Sequence, residues 1–359
     1  MRILQLILAP RLSGAEMLVK GIAIGHQQSG HAVGVTSLLP ADSDFALVAG
    51  ELADNCVTCL FPTRRYERLG RLLFLYRSIR RFRPDIIFAH ATIPALYVRA
   101  LPLRVPIVWV MHSSVNDFLD NGLLQRAERI LSLRAKAVIG VSQKHVDEYT
   151  NAIGRHPSLL VVPNGVDAAR FRKPRGREGG AAESSTGAVK RIVQIGRYVP
   201  EKGQIDTLHA FRHVLGFEPD ARLLLCGVIE DKPYYSAVAA LAEELGIASH
   251  VDIAGPQSNV DEILVNSSVF VMPSSIEAQG IAFLEALASG IPIVANVIPS
   301  FTFAHNWAGV RLVDTSDHEC YGRALVAALG EPRAQRPLDG FMLEDTAERY
   351  LAIARQVIG

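Results

Sequence analysis

The sequence predicts an α/β fold of two doubly wound parallel-sheet (Rossmann-like) domains, and three observations predict it. Apolar runs of strand length recur along the chain, separated by stretches of helical periodicity. That alternation breaks once, at a segment with no periodicity, and then restarts. At 359 residues, 49% hydrophobic and 20% charged, the chain is long enough for two cores rather than one. Near-continuous apolar strands linked by helices mean parallel sheets covered on both faces.

In chain order, strands are expected at residues 3–8, 32–38, 85–89, 107–110, 137–141 and 159–162, with helices at 16–28, 123–134 and 143–151 between them. Residues 171–187, rich in Gly, Ser, Arg and Glu, read as a linker. Strands resume at 192–195, 223–225, 251–254, 269–272, 293–295 and 310–313. A final helix at 343–357 carries Ala347, Tyr350, Leu351 and Ile353 on one stripe. The expected division is a first domain 1–170, a linker 171–189, a second domain 190–340, and a helix 341–359 packing back at the domain junction.

Several classes fall away early. The apolar start is too short to span a bilayer, Pro10 and Arg11 stand where a signal peptide would need its cleavage site, and no later stretch is long enough to span. A cytoplasmic protein is expected. Four cysteines cannot frame a disulfide scaffold, and Cys56 and Cys59, though spaced like a half-zinc or redox motif, have no matching second pair and read as ordinary strand residues. Net charge of +1 argues against nucleic acid. No Gly-x-Gly-x-x-Gly follows the first strand and no Gly-Lys-Ser/Thr occurs, which disfavours hydride transfer and triphosphate hydrolysis.

Charge is uneven, however. Residues 1–170 hold 20 Lys and Arg against 13 Asp and Glu, and the segment from Arg64 to Arg83 alone holds eight Arg against one Glu. Leu69, Leu72, Leu73, Tyr76 and Ile79 recur there at helical spacing, so that stripe is expected on the core, with Phe74 and Leu75 pointing elsewhere among the arginines. Such a face suits an anionic membrane surface or a lipid-linked acceptor; a solvated helix face is the alternative.

The chemistry-bearing residues gather at strand ends. Glu277 falls in the turn after the apolar run 268–272, and Glu285 inside the helix starting near Gly280, so both carboxylates border the crevice at a strand's carboxyl end, where open parallel sheets bind ligands. Gly196-Arg197 and Lys202-Gly203 lie between another strand and a helix. Two cations beside a helix amino terminus make an anion site fit for a diphosphate, or else a surface loop with two solvated bases. Gly14 opens the first helix, where a missing Cβ lets backbone N–H groups approach a ligand. His112, followed by Ser113 and Ser114, ends a strand and is either structural or chemical, and residues 163–167 (Pro-Asn-Gly-Val-Asp) read as a turn.

Together these residues resemble glycosyltransferase family 4, the retaining, sugar-nucleotide-dependent transferases of GT-B fold. The matching positions are Gly14 and Glu16, His112, Val141-Ser142, Pro163 to Asp167, Gly196-Arg197, Lys202-Gly203, Pro273-Ser274, Glu277, Gly280, Glu285, Ala286 and Gly290, over residues 1–300. The resemblance implies GT-B domains facing across a cleft, the first binding acceptor and the second the nucleotide sugar. It implies that Arg197 and Lys202 hold the donor diphosphate, that Glu285 takes the ribose hydroxyls, and that Glu277 lies close to the reacting sugar. His112 would contact sugar hydroxyls, with Gly14, Gly280 and Ile281 approaching diphosphate and sugar. A leaving diphosphate needs positive charge where negative charge develops, and an oxocarbenium-like centre tolerates a nearby carboxylate.

No cofactor and no bound metal are implied; Asp42 and Asp44, the one Asp-x-Asp, follow the second strand. The chain departs from the family's usual pattern in three places: Ser13-Gly14 replaces two glycines, Glu277-Ala-Gln-Gly280 replaces Glu-Gly-Phe-Gly, and the segment after Ala295 lacks a Gly-Gly and a Glu. The function read from all this is a retaining hexosyltransferase moving sugar from UDP or GDP to a glycan, lipid-linked or small-molecule acceptor in lipopolysaccharide or exopolysaccharide assembly, on the cytoplasmic face of the inner membrane. A sugar-nucleotide epimerase of the same fold and a non-catalytic sugar-nucleotide-binding protein are the alternatives.

Overall fold

Successive strands are joined through α-helices, except that the last two (Ile293–Asn296 and Val310–Val313) are separated by a short 3-10 turn at Thr302–Ala304, and every pair among the described strands is parallel. The computed structural model describes residues 1–112, 118, 121–172 and 189–359. They form two units, one of Met1–Gly165 with Gly340–Gly359 and one of Val166–Asp339. Residues 173–188 of the expected linker, with Ser113 and Ser114, lie outside the described residues, and Phe171 is buried in a short helix.

The first unit runs β1 (Arg2–Ile7), α1 (Gly14–Gln28), β2 (Ala32–Ser37), α2 (Ala46–Asp54), β3 (Thr58–Leu60), α3 (Arg68–Phe82), β4 (Ile86–His90), α4 (Thr92–Ala100), β5 (Ile107–Met111), α5 (Gly122–Leu131), β6 (Ala137–Gly140), α6 (Gln143–Ala152) and β7 (Leu159–Val161). Its sheet order is β3-β2-β1-β4-β5-β6-β7. Strand β3 has no run of its own among the expected strands, because three residues at a sheet edge carry too little apolar signal; only the reading of Cys59 as a strand residue anticipates it. Cys59 lies in it, but Cys56 does not: it is exposed, at φ 58° in the preceding turn, which corrects the reading of both as strand residues.

Helix α3 corrects the expected stripe. Of that stripe Ile79 is buried and Leu72 and Tyr76 pack half-buried against the core, but Leu69 and Leu73 are exposed; Leu75 and Phe82 are buried instead, and Phe74 stacks on Tyr66 at 6.0 Å. Two overlapping rows fit helical spacing here, and the sheet decides between them. Phe82 packs so close to β2 that a Cβ on Gly34 would lie 2.9 Å from its ring. The buried row is thus shifted toward the helix's C-terminal end, and Leu69 and Leu73 project into solvent.

The second unit comprises α7 (Ala168–Arg172), β8 (Arg191–Ile195), α8 (Gln204–Leu215), β9 (Arg222–Cys226), α9 (Lys232–Glu244), β10 (Val251–Ala254), α10 (Val260–Val265), β11 (Val269–Met272), α11 (Ile281–Ser289), β12 (Ile293–Asn296), β13 (Val310–Val313) and α12 (His318–Leu329), with sheet order β10-β9-β8-β11-β12-β13.

The chain then returns to the first unit as α13 (Leu343–Ile358), whose Ala347, Tyr350, Leu351, Ile353 and Ala354 are buried. His26 Nε2 lies 2.9 Å from the Ala347 carbonyl oxygen. Gly165 shows why the turn at 163–167 needs glycine: a Cβ there would stand 2.4 Å from the Met342 carbonyl. Thr346 Oγ1 donates to the Pro163 carbonyl at 3.0 Å, completing the seam.

Candidate functional site

In an open parallel sheet, strand order reverses at one pair, and the loops leaving that pair diverge to opposite faces and open a crevice. The second unit reverses between β8 and β11. The loop after β8 carries Arg197 and Lys202, and the loop after β11 carries Glu277, so the fold brings together residues 75 positions apart.

There Lys202 Nζ forms an ion pair with Glu277 Oε1, both residues being buried at 8% and 5% exposure. Backbone contacts fix the two turns to each other. Ser275 N–H donates to the Glu201 carbonyl at 2.9 Å, and Gly203, at φ 66°, leaves a Cβ position only 3.1 Å from the Pro273 carbonyl. The Gln194 side chain donates to the Lys202 carbonyl at 2.7 Å, and Gln204 to the Arg197 carbonyl at 2.9 Å. Lys202 is therefore held at both ends.

Arg197 lies on the same loop but its guanidinium reaches both carboxylate oxygens of Glu230 at 2.8 Å, a half-exposed pair. The loop approaches β9 so closely that a Cβ on Gly227 would sit 2.0 Å from the Gly196 carbonyl oxygen. Gly280, at φ 75°, caps the start of α11; Ile281 opens that helix and Glu285 lies within it, partly buried. Two amino termini, of α8 and α11, thus adjoin the ion pair's loops.

The segment after Ala295, which departs from the family pattern, buttresses this site. Ser300 Oγ donates to the Glu277 carbonyl at 2.5 Å, and Asn296 Nδ2 to the Ser274 carbonyl at 3.2 Å. Phe301 is fully buried and stacks on Phe283 with centroids 4.4 Å apart, over the space a Cβ of Gly280 would need.

The first unit reverses between β1 and β4. Gly14 opens α1 beyond β1, and Ser13 Oγ bonds the Glu16 carboxylate in that first turn. His112 follows β5, with Nε2 2.9 Å from Nδ1 of His90, the last residue of β4; His90 Nε2 in turn lies 2.7 Å from Gln5 Oε1 on β1. Burial, and next the neighbouring His145, push the His112 imidazole down to about 4, and burial with His112 pushes His90 well below the usual range. Both rings are neutral at pH 7.

Glu230, Ser300, Phe301, Gln5 and His90 were missed from sequence. His90 had a usable signal, being a polar residue closing an apolar strand, as His112 does. Nothing local links Glu230 to Arg197. Among the described residues no cluster of three or more His, Cys, Asp or Glu could hold a metal ion.

Fold and site define a class, proteins of two parallel-sheet units with a charged crevice at the switch point of the second sheet. The family model for glycosyl transferases group 1 matches residues 182–329, and that for Glycosyltransferase Family 4 matches residues 12–170. The chain belongs to glycosyltransferase family 4, with the GT-B fold.

Its relatives include a GDP-mannose-dependent monoacylated alpha-(1-6)-phosphatidylinositol monomannoside mannosyltransferase of Corynebacterium glutamicum, 28% identical over 54% of this chain and 52% of that protein. The alpha-monoglucosyldiacylglycerol synthase of Streptococcus pneumoniae is 23% identical over 95% of this chain and 81% of that protein. The chain spans about half the length, or less, of the mannosyltransferases it matches. Among solved structures, Anabaena HepE in complex with UDP and glucose covers 100% of this chain and 95% of its own, at 18% identity and TM-score 0.74. A glycosyltransferase from Rickettsia africae covers 99% and 98%, at 17% identity and TM-score 0.75.

Proposed function

We propose that this protein is a retaining glycosyltransferase that moves a hexose from a UDP- or GDP-linked donor to a lipid-linked, glycan or small-molecule acceptor, in lipopolysaccharide or exopolysaccharide assembly. The observation that carries this reading is the buried Lys202–Glu277 pair, with Arg197 on the same loop, at the switch point of the second sheet. Arg197 and Lys202 neutralise the diphosphate as the glycosidic bond breaks, where preorganised positive charge is worth most. Glu277 stands beside the reacting sugar, and Glu285 takes the ribose. The amino terminus of α11 at Gly280 and Ile281, and that of α1 at Gly14, present backbone N–H groups to diphosphate and sugar. His112 contacts sugar hydroxyls. No resident cofactor is needed, so transfer survives EDTA.

Relatives named for phosphatidylinositol mannoside and diacylglycerol acceptors support a lipid-linked acceptor. The outer surface of the first unit supports it as well. The crossovers carrying α3 and α5 run in the same direction along the sheet, and right-handed connections put both helices on one face. Leu69 and Leu73 on α3, and Leu123, Ile130 and Leu133 on and after α5, are exposed there among Arg68, Arg77, Arg80, Arg126 and Arg129. Apolar side chains among cations match an anionic bilayer. No helix among the described residues is long and apolar enough to cross a membrane. The attachment is peripheral, on the cytoplasmic face of the inner membrane.

Incubation with UDP- and GDP-sugars and candidate acceptors, with NMR of the product's anomeric carbon, tests the reaction. Retention of the donor's configuration is expected. Inversion overturns the mechanism, and a new sugar stereochemistry without transfer points to an epimerase. Sedimentation with anionic and neutral vesicles tests the surface, which requires salt-sensitive binding to the anionic ones.

A further inference from the structure

The Gln5–His90–His112 chain has a polarity. An amide oxygen only accepts, so Gln5 Oε1 at 2.7 Å requires the proton on His90 Nε2. His90 is neutral, and its Nδ1 therefore holds a lone pair that accepts from His112 Nε2–H at 2.9 Å. That leaves the His112 Nδ1 lone pair, on an atom that is buried with no hydrogen-bond partner among the described residues. Gln5 is fully buried and His90 is 3% exposed. Tyr350 of α13, fully buried, stacks on Phe88 at 5.2 Å and lies 6.4 Å from the His90 ring, so the rings are confined from the side as well. The chain spans the three strands β1, β4 and β5, whose carboxyl ends adjoin the switch point of this sheet.

We infer that His90, oriented by Gln5, is a positioning residue that fixes His112 as its Nε2–H tautomer, so that His112 Nδ1 accepts a hydrogen bond and the group it takes is a hydroxyl that donates. The naming of that hydroxyl as one of the transferred sugar rests on the proposed function; the tautomer relay does not. A second imidazole wired in the opposite sense would present a donor and would select carbonyl or phosphate oxygen instead. The relay is thus a selector for neutral polyol over anion at this position.

Histidine-labelled protein at pH 7.5, with the His112 ring nitrogens assigned against His112→Gln, reads the tautomer directly by 15N NMR. Wild type is expected to carry the proton on Nε2. In Gln5→Glu, which is nearly isosteric, the carboxylate favours the His90 imidazolium. That cation donates from Nδ1 into His112 Nε2 and moves the His112 proton to Nδ1. The same variant is expected to lose roughly tenfold in kcat/KM for the donor sugar while the Kd of free UDP or GDP stays unchanged. His90→Phe, which keeps a ring but removes the acceptor, should give His112 a mixture of tautomers. An Nδ1-protonated His112 in wild type, or one that keeps its Nε2 proton in both variants, overturns the inference. Absence of any sugar transfer with the NMR pattern intact removes only the assignment of the hydroxyl.

Discussion

The two switch points of this molecule have the same topology and opposite chemistry. Between β8 and β11 the crevice is lined with ions, Lys202 on Glu277 and Arg197 on Glu230. At β1, β4 and β5 it is lined with neutral imidazoles wired to an amide. Burial works against charge in both, but only the ionic pair offsets it with a partner, whereas the histidines give up their protons. A strand-order reversal supplies a crevice and nothing more. The residues leaving the strands decide whether it holds paired ions or neutral rings.

The largest break in this contrast comes from Lys202→Ala. Turnover should fall by about 10²–10³-fold, with weaker binding of the free nucleoside diphosphate. Glu277 is left charged and unpaired in a buried place, so urea unfolding should also show a loss of about 3–5 kcal/mol. His112→Ala provides the contrast: UDP or GDP affinity is retained while kcat drops. Equal loss of nucleotide affinity in the two variants would erase the distinction.

Acid separates the units next. His112 and His26 ionise near 4 when folded, His26 through burial, against about 6.5 when unfolded. Between those values the unfolded chain binds more protons, so their stabilisation is complete above pH 6.5 and is lost as pH falls toward 4. The slope approaches about 1.4 kcal/mol per pH unit for each group. Trp109 reports on the first unit and Trp307 on the second. Fluorescence of Trp307→Phe and Trp109→Phe proteins should therefore show the first unit weakening more between pH 6.5 and 4. Parallel loss in both units would discount the buried histidines.

Two smaller effects sharpen the ionic side. Ser300→Ala removes one hydrogen bond to the Glu277 carbonyl and should cost about 1 kcal/mol, with kcat reduced more than donor affinity. Glu230→Gln releases Arg197 from a half-exposed pair worth at most about 1 kcal/mol, so donor affinity should rise only a few-fold and stability barely change. Isothermal titration with UDP and GDP reads the affinities, urea unfolding the stabilities and initial rates the change in kcat.

Much of this was legible because period and polarity are local. Twelve strand segments and the helix starts at Gly280 and Gly203 could be read from runs of apolar residues and single glycines. So could the candidacy of Glu277, Lys202 and His112, each a polar residue standing where an apolar run ends. Where two registers fitted the same helix, as with Leu69 against Leu75, only the sheet beneath could choose. Edge strand β3 was too short to announce itself.

The sequence by itself determined the element order, the parallel sheets and the residue types available at each strand end, because side-chain periodicity and turn chemistry act over a few positions. Only the tertiary structure decided who meets whom: Lys202 with Glu277, Arg197 with Glu230, Gln5 with His90 and His112, Ser300 beneath Glu277. Those partners lie 23 to 107 residues apart in the chain. Crossover connections bring them together by strand order, a property no local stretch of residues carries.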